Sequence, residues 1–355
     1  METEHKVFFK NSNDMREIEA NSIDLMVTSP PYPMIEMWDQ LFSFLNKDIK
    51  QTLQEGYSKE AFNLMHQELE KVWKEVARVL KPGGIACINI GDATRKIGGY
   101  FQLFPNHIKV SGYFHENNFV ELPCILWRKP TNSPNKFLGS GMIPPNAYVS
   151  LEHEYILIFR KGINKRKFSP KSERRYESAF FWEERNKWFS DIWNDIKGTS
   201  QIMNKRNNYQ NKLRERSGAY PLELPYRLIN MFSLYEDLIL DPFWGTGTTS
   251  LASMISARNS IGYEINHEFI NIFKKNIKKL TQLNDEINKD RLNHHVNNMK
   301  KYRNLNREIK HRSIYYKFPV ITNQEREILF YKITNYTVEK NRFILKHQRY
   351  DFIDN

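Results

Sequence analysis

The stretch TSPPYPMIEMWD, residues 28–39, follows directly on the apolar run SIDLMV. That run reads as a buried strand. Proline has no amide proton to give a sheet ladder, so the strand must stop at Ser29 and the chain must turn there. Ser29, Pro30, Pro31 and Tyr32 thus place a hydroxyl, a proline-locked carbonyl and an aromatic ring at the end of a core strand. The hydroxyl and the carbonyl can accept hydrogen bonds from the protons of an amine, and the ring can stack on a flat partner. Such acceptors pull a ring-conjugated amine toward tetrahedral nitrogen and make its lone pair available for attack.

A second stretch, DLILDPFWGTGTTSLASMISARNSIGYEI, spans residues 237–265. It reads as a strand ending at Asp241, a loop with Gly245 and Gly247, a helix opening at Thr248-Thr249, and a second strand ending at Glu264. Glycines let backbone approach a ligand closely, and an acidic residue about 20 positions on accepts hydrogen bonds from ribose hydroxyls. A dinucleotide fits poorly. The Gly-x-Gly-x-x-Gly spacing fails at Thr248, Thr249 and Ser250, and Asp241 would repel a pyrophosphate. Asp241 instead suits a cationic ligand such as S-adenosylmethionine (AdoMet), which carries an ammonium and a sulfonium beside a ribose. With AdoMet over this strand and Ser29 next to it, the amine to be methylated is that of a nucleobase. The base must leave the duplex to reach the pocket, where Tyr32 can stack on it.

These residues resemble the amino-methyltransferases of DNA, which methylate the exocyclic nitrogen of cytosine or adenine. The family's Asp/Asn/Ser-Pro-Pro-Tyr/Phe signature is matched by Ser29 to Tyr32, and its cofactor signature by DPFWGTGTT. The resemblance implies cofactor contacts at Asp241, Phe243, Gly245, Gly247 and Thr248, with Glu264 as the ribose ligand. RSGAYPLELPYRLI (216–229) resembles the motif that completes the methionine end of that site and adds Ala219 and Tyr220. LWRKP (126–130) and EHEYILIFRKG (152–162) resemble later strands of the same fold. The catalytic motif precedes the cofactor motif, as in the permuted class called beta, and a serine-led tetrapeptide is typical of cytosine-N4 enzymes. Adenine-N6 methylation by the same fold is the nearest alternative. The acidic pair that often precedes the first helix of the family is replaced by KNSNDMREI, so a contact to the cofactor's adenine from Ser12, Asn13 or Asp14 stays open.

The elements that must position these groups are legible as apolar runs at residues 7–9, 23–27, 84–90, 122–127, 154–159, 237–241 and 260–265. Helical patterns lie between them, such as 62–80, which KPGG should stop. Seven strands alternating with helices predict an α/β, Rossmann-like, doubly wound and mostly parallel sheet. The expected catalytic domain comprises residues 1–159 and 217–280. Residues 160–216 break the rhythm and read as an insertion, and residues 281–355 read as a basic extension that opens with a polar helix.

The net charge of +12 is unevenly placed. Residues 160–216 hold 16 Lys and Arg against 7 Asp and Glu, and 272–355 hold 19 against 9, whereas the rest of the chain is net acidic. Two segregated basic blocks suit a polyanion, here double-stranded DNA. Target recognition is expected in the insertion, with Arg174, Arg175, Arg185, Lys205, Arg206 and Arg214 as candidates and CTAG as a trial palindrome. Trp182, Trp188 and Trp193 read as a small local core rather than as stacking platforms.

Cys87 and Cys124 lie in apolar runs, which fits a reducing cytoplasm and excludes a disulfide framework or a cysteine-rich metal site. No run approaches the length of a membrane span. The Pro123-Cys124 dipeptide could suggest a cysteine nucleophile for cytosine-C5 chemistry, but its apolar setting reads as structural. His294-His295 has no ligand partners at metal spacing and reads as a solvated helix face, so no metal is expected. The whole reads as the modification half of a restriction-modification pair, monomeric or homodimeric, sharing its site with a cognate endonuclease. A nucleic-acid-binding protein without catalysis is the alternative from another class.

Overall fold

The computed structural model describes residues 1–129, 138–198, 219–304 and 309–352. Ten strands form one sheet: β1 (Glu2–Phe8), β2 (Ile23–Thr28), β3 (Leu80–Ile90), β4 (Phe119–Arg128), β5 (His153–Lys161), β6 (Ile192–Trp193), β7 (Leu238–Asp241), β8 (Asn259–Tyr263), β9 (Tyr331–Glu339) and β10 (Arg342–Arg349). Their order is β6-β4-β5-β3-β2-β7-β8-β1-β10-β9. The run β3-β2-β7-β8-β1 is parallel throughout. β5 pairs antiparallel with β3 and β4, and β10 pairs antiparallel with β1 and β9. All seven expected strands are present, joined by β6 and the C-terminal hairpin.

Every residue of β2 is buried. Leu25 and Val27 enter one core and Ile23 and Met26 the other, so an unbroken apolar run is what a strand covered on both faces requires. One covering layer contains α1 (Asp39–Leu45), α2 (Lys47–Glu55), α3 (Ser58–Val79) and α4 (Asn106–Glu116). Short helices α5 (Glu173–Glu177) and α6 (Trp182–Trp188) follow β5. The opposite layer holds α7 (Glu223–Phe232), α8 (Thr248–Ile255), α9 (Phe269–Ile277) and the start of α10 (Leu280–Asn304). The long helix α3 buries Phe62, Met65, Leu69, Val72, Trp73, Val76 and Val79, spaced by three or four residues as one face of a helix demands. It ends at Val79, and the KPGG expected to follow as a turn instead opens β3. Gly83 there adopts φ +78°, and the β2/β3 register shifts between Ile23 and Leu25.

The insertion and the C-terminal extension meet. Phe181 packs with Leu292, Val296, Phe318, Val320, Ile328, Phe330 and Tyr350 in a third core. Arg291 of α10 makes a bidentate ion pair with Glu184 of α6, closest at 2.5 Å. His295, expected on a solvated face, is fully buried. Its Nε2 donates to the Pro319 carbonyl, while Nδ1 lies 2.8 Å from Glu183 Oε1. A helix whose composition is polar is therefore clamped on both sides. Trp188 and Trp193 are buried as expected, but Trp182 is exposed. Among the described residues, no helix is long and apolar enough to cross a membrane.

Candidate active site

Because β2, β3, β7 and β8 run parallel, their carboxyl ends open on one edge of the sheet, where open α/β folds bind ligands. A cavity of about 550 Å³ lies there. One wall is Ser29, Pro30, Pro31 and Tyr32, directly after β2, with Lys129 and Glu154 beside them. Another wall is Pro242, Phe243 and Gly245 after β7, with Glu264 and Asn266 after β8. Ile35, Trp38, Leu69, Val72 and Phe269 supply apolar surface. The two stretches singled out by their chemistry, far apart in sequence, thus face one space.

The catalytic wall is held by a polar network. Tyr32 OH donates to Glu154 Oε2 at 2.8 Å and lies 3.0 Å from Ser29 Oγ. Asn89 Nδ2 donates to Glu154 Oε2 at 2.7 Å and to Tyr32 OH at 2.8 Å. Lys129 Nζ reaches Glu154 Oε1 at 3.2 Å. Burial, and then the neighbouring Glu154 charge, push the Tyr32 phenol well above its ordinary range, so it stays protonated. Asn89 Oδ1 is buried without a partner. Turning the amide over would set that oxygen against the Glu154 carboxylate, so the orphan acceptor, a cost of about 1–3 kcal/mol, follows from the two bonds the amide nitrogen makes. Gly91 leaves room for the network. A Cβ there would lie 3.0 Å from Tyr32 Cε2 and 3.3 Å from Glu154 Cγ.

On the cofactor wall, Glu264 accepts from the backbone amides of Gly245 and Asn266, both at 2.8 Å. Burial outweighs these bonds and raises its carboxyl to about 7. Gly245 adopts φ +53° and leaves open space beside its Cα. The donor set fits AdoMet, since a buried carboxylate on the cavity wall can take ribose hydroxyls and the loop beside it bears no side chain at Gly245. Of Ser12, Asn13 and Asp14, only Ser12 lines the cavity; Asn13 is exposed and Asp14 pairs with Arg16 and Lys10.

Other expected residues sit behind this wall rather than on it. Asp241 was expected to face the cofactor's ammonium, but its carboxylate is buried and consumed internally. Thr28 Oγ1 donates to Oδ1 and Thr249 Oγ1 to Oδ2, each at 2.6 Å, and the Phe243 amide adds a third bond at 3.1 Å. Burial nonetheless lifts its carboxyl to about 6. Tyr220 hydrogen-bonds Thr249 and is likewise buried, next to Ala219 in sequence. Gly247 precedes α8 at φ +80°, and a Cβ there would lie 2.3 Å from Phe273 and 2.7 Å from Trp244, so close packing demands the glycine. Thr248 Oγ1 contacts Thr246 Oγ1 at 3.4 Å. Neither Cys87 nor Cys124 lines the cavity.

Of the recognition candidates, Arg174 pairs with Asp237, Arg175 lies over the Phe168 ring and Arg185 over Phe189. These three have partners within the chain, whereas Lys205, Arg206 and Arg214 lie outside the described residues. Sequence reasoning missed Asn89 and Glu154. Each is a single polar residue inside an apolar strand, and that interruption was the only signal.

Residues 23–275 match a family of N6/N4 enzymes described as DNA methylase. The Type II methyltransferase M.MthZI of Methanothermobacter thermautotrophicus is 51% identical over 352 residues, covering 98% of this chain and 96% of its own length. M.MjaI of Methanocaldococcus jannaschii, also a Type II methyltransferase, is 54% identical over 286 residues, or 78% of this chain and 91% of that protein. TTHA0409 of Thermus thermophilus, a DNA modification methylase solved complexed with S-adenosyl-L-methionine, superposes with a TM-score of 0.60 at 29% identity. That match covers 78% of this chain and 94% of that one. The PvuII DNA methyltransferase, cytosine-N4-specific, shares the fold at a TM-score of 0.53 and 17% identity, over 80% of this chain and 93% of its own.

Proposed function

The chain belongs to the N6/N4 family of DNA methylases, and from that premise we propose that it methylates the exocyclic N4 amine of a cytosine extruded from double-stranded DNA. The observation that carries the reading is the single cavity in which Ser29 faces the wall formed by Phe243, Gly245 and Glu264. AdoMet, when bound, supplies a methyl group already activated as a sulfonium. Glu264 would hold its ribose hydroxyls, and the Gly245 loop and Phe243 would lie against the nucleoside.

Ser29 Oγ and the Pro30 carbonyl accept hydrogen bonds from the two amine protons, directing the nitrogen lone pair away from the ring plane. Tyr32 offers a ring face, although its hydroxyl is anchored, so the base must stack on a ring held in one orientation. The apolar residues Ile35 and Trp38 help exclude water. The serine at the head of the tetrapeptide supports cytosine as the target. The Type II description of its relatives supports a place in a restriction-modification pair, with the endonuclease acting on the same site.

The decisive experiment is nucleoside mass spectrometry on duplex DNA, including CTAG-containing DNA, treated with the protein and AdoMet. N4-methylcytosine is the expected product. N6-methyladenine would overturn the cytosine assignment while keeping the chemistry, and no methylated nucleoside would favour a binding role without catalysis.

A further inference from the structure

The hydrogen bonds around Ser29 have a direction that donor counting fixes. A carboxylate only accepts, so the one proton of Tyr32 goes to Glu154 Oε2 at 2.8 Å. Asn89 Nδ2 donates to the Tyr32 oxygen at 2.8 Å as well as to Glu154. Tyr32 has then no proton left for its 3.0 Å contact with Ser29, and the Ser29 hydroxyl must be the donor. Its oxygen keeps its lone pairs for the cavity, which is the polarity an amine substrate needs. Without the carboxylate, Tyr32 could donate to Ser29 and the serine hydroxyl could turn its proton toward the amine.

We infer that Glu154 is the positioning residue that sets this polarity and the terminal acceptor of the proton that the target amine must lose. The inference rests on the amine-methylation reading above. Once the amine nitrogen has gained its fourth bond it is cationic and carries one N–H too many. That N–H bond breaks and an O–H bond forms at Ser29 Oγ, while the former Ser29 proton passes to the Tyr32 oxygen and the Tyr32 proton to Glu154 Oε2. The methylated base ends neutral, Ser29 and Tyr32 each hold one proton again, and Glu154 ends as a carboxylic acid. Because Glu154 lines the cavity, it returns that proton to water between turnovers. The high affinity of Tyr32 for its proton suits concerted gain and loss without a free phenolate. The charged and titratable groups facing Glu154 are Lys129, from the end of β4, and Tyr32, from the loop after β2.

The test is the single-turnover rate of methyl transfer between about pH 5.5 and 9, with AdoMet affinity measured separately by calorimetry. Wild-type protein should slow toward acid as Glu154 takes up a proton. Glu154→Gln should bind AdoMet within about twofold of wild type, transfer methyl ~100-fold more slowly and lose the acid limb, the scale of removing one proton acceptor. Glu154→Asp should regain part of the rate together with the limb. Tyr32→Phe, which keeps the ring and removes the relay oxygen, should reproduce the Gln variant and carries the test if that variant does not fold. Variants that keep the wild-type rate and acid limb overturn the relay alone. A wild-type protein that methylates no base at any pH overturns the amine-methylation reading itself.

Discussion

Thr28 and Asp241 are joined by a 2.6 Å hydrogen bond between the last residues of two neighbouring strands, β2 and β7. Thr28 is the residue before Ser29, and Asp241 opens the cofactor loop. With Thr249 on its other oxygen, Asp241 ties the catalytic turn, the loop and the start of α8 into one unit. The family's acidic residue at this position thus serves here as a structural tie between the two halves of the site.

Asp241→Ala strands two hydroxyls and an amide without their acceptor, and should cost about 3 kcal/mol in urea unfolding. Asp241→Asn, which resembles the protonated acid, should cost less. A carboxyl raised from 3.8 to about 6 contributes stability that is present below pH 3.8 and lost as pH rises through about 6. The wild-type protein should therefore lose stability across that window, and the Asn variant should show a smaller slope.

Ser29→Ala removes an acceptor for the amine but no bond that holds the cofactor wall. AdoMet affinity should stay within about twofold while turnover falls ~100-fold, the scale of one positioned polar group. Equal turnover would remove Ser29 from the chemistry.

Glu264 must be ionised to accept both hydroxyls of a ribose. With its carboxyl near 7, the ionised fraction rises about tenfold between roughly pH 6 and 8, and AdoMet affinity should rise with it. Calorimetry across that range checks this, and Glu264→Gln should bind weakly with a flat profile.

Glu184→Ala would leave Arg291 charged and buried among Trp188, Tyr226 and Phe330. Removing one member of such a pair costs about 3–5 kcal/mol. Limited proteolysis should then cut first where the insertion leaves the third core, and unchanged stability would show that the junction is not held there.

The strands and both motifs were legible because each carries a local signal: an apolar run, a proline turn, or glycines before a helix. Asn89 and Glu154 were not, since their partnership exists only where β3 and β5 pair and the SPPY turn folds back over them. The C-terminal hairpin was missed because β9 and β10 carry charged residues on their exposed faces, which hides the alternation that buries Ile333, Phe343 and Leu345. Asp241 was recognised by type and position, but sequence could not show that Thr28 and Thr249 would claim its oxygens. His295 looked solvated because polar neighbours surround it in the chain, while its contacts come from Phe181 and Pro319.

β1 lies between β8 and β10, so the first strand the ribosome makes pairs only with segments that begin at residues 259 and 342. Through most of synthesis both its hydrogen-bonding edges stay open, which is the condition for mispairing with another nascent chain. The charged residues Glu2, Glu4 and Lys6 on alternate positions of β1 are the kind that discourage such encounters until the last strand arrives.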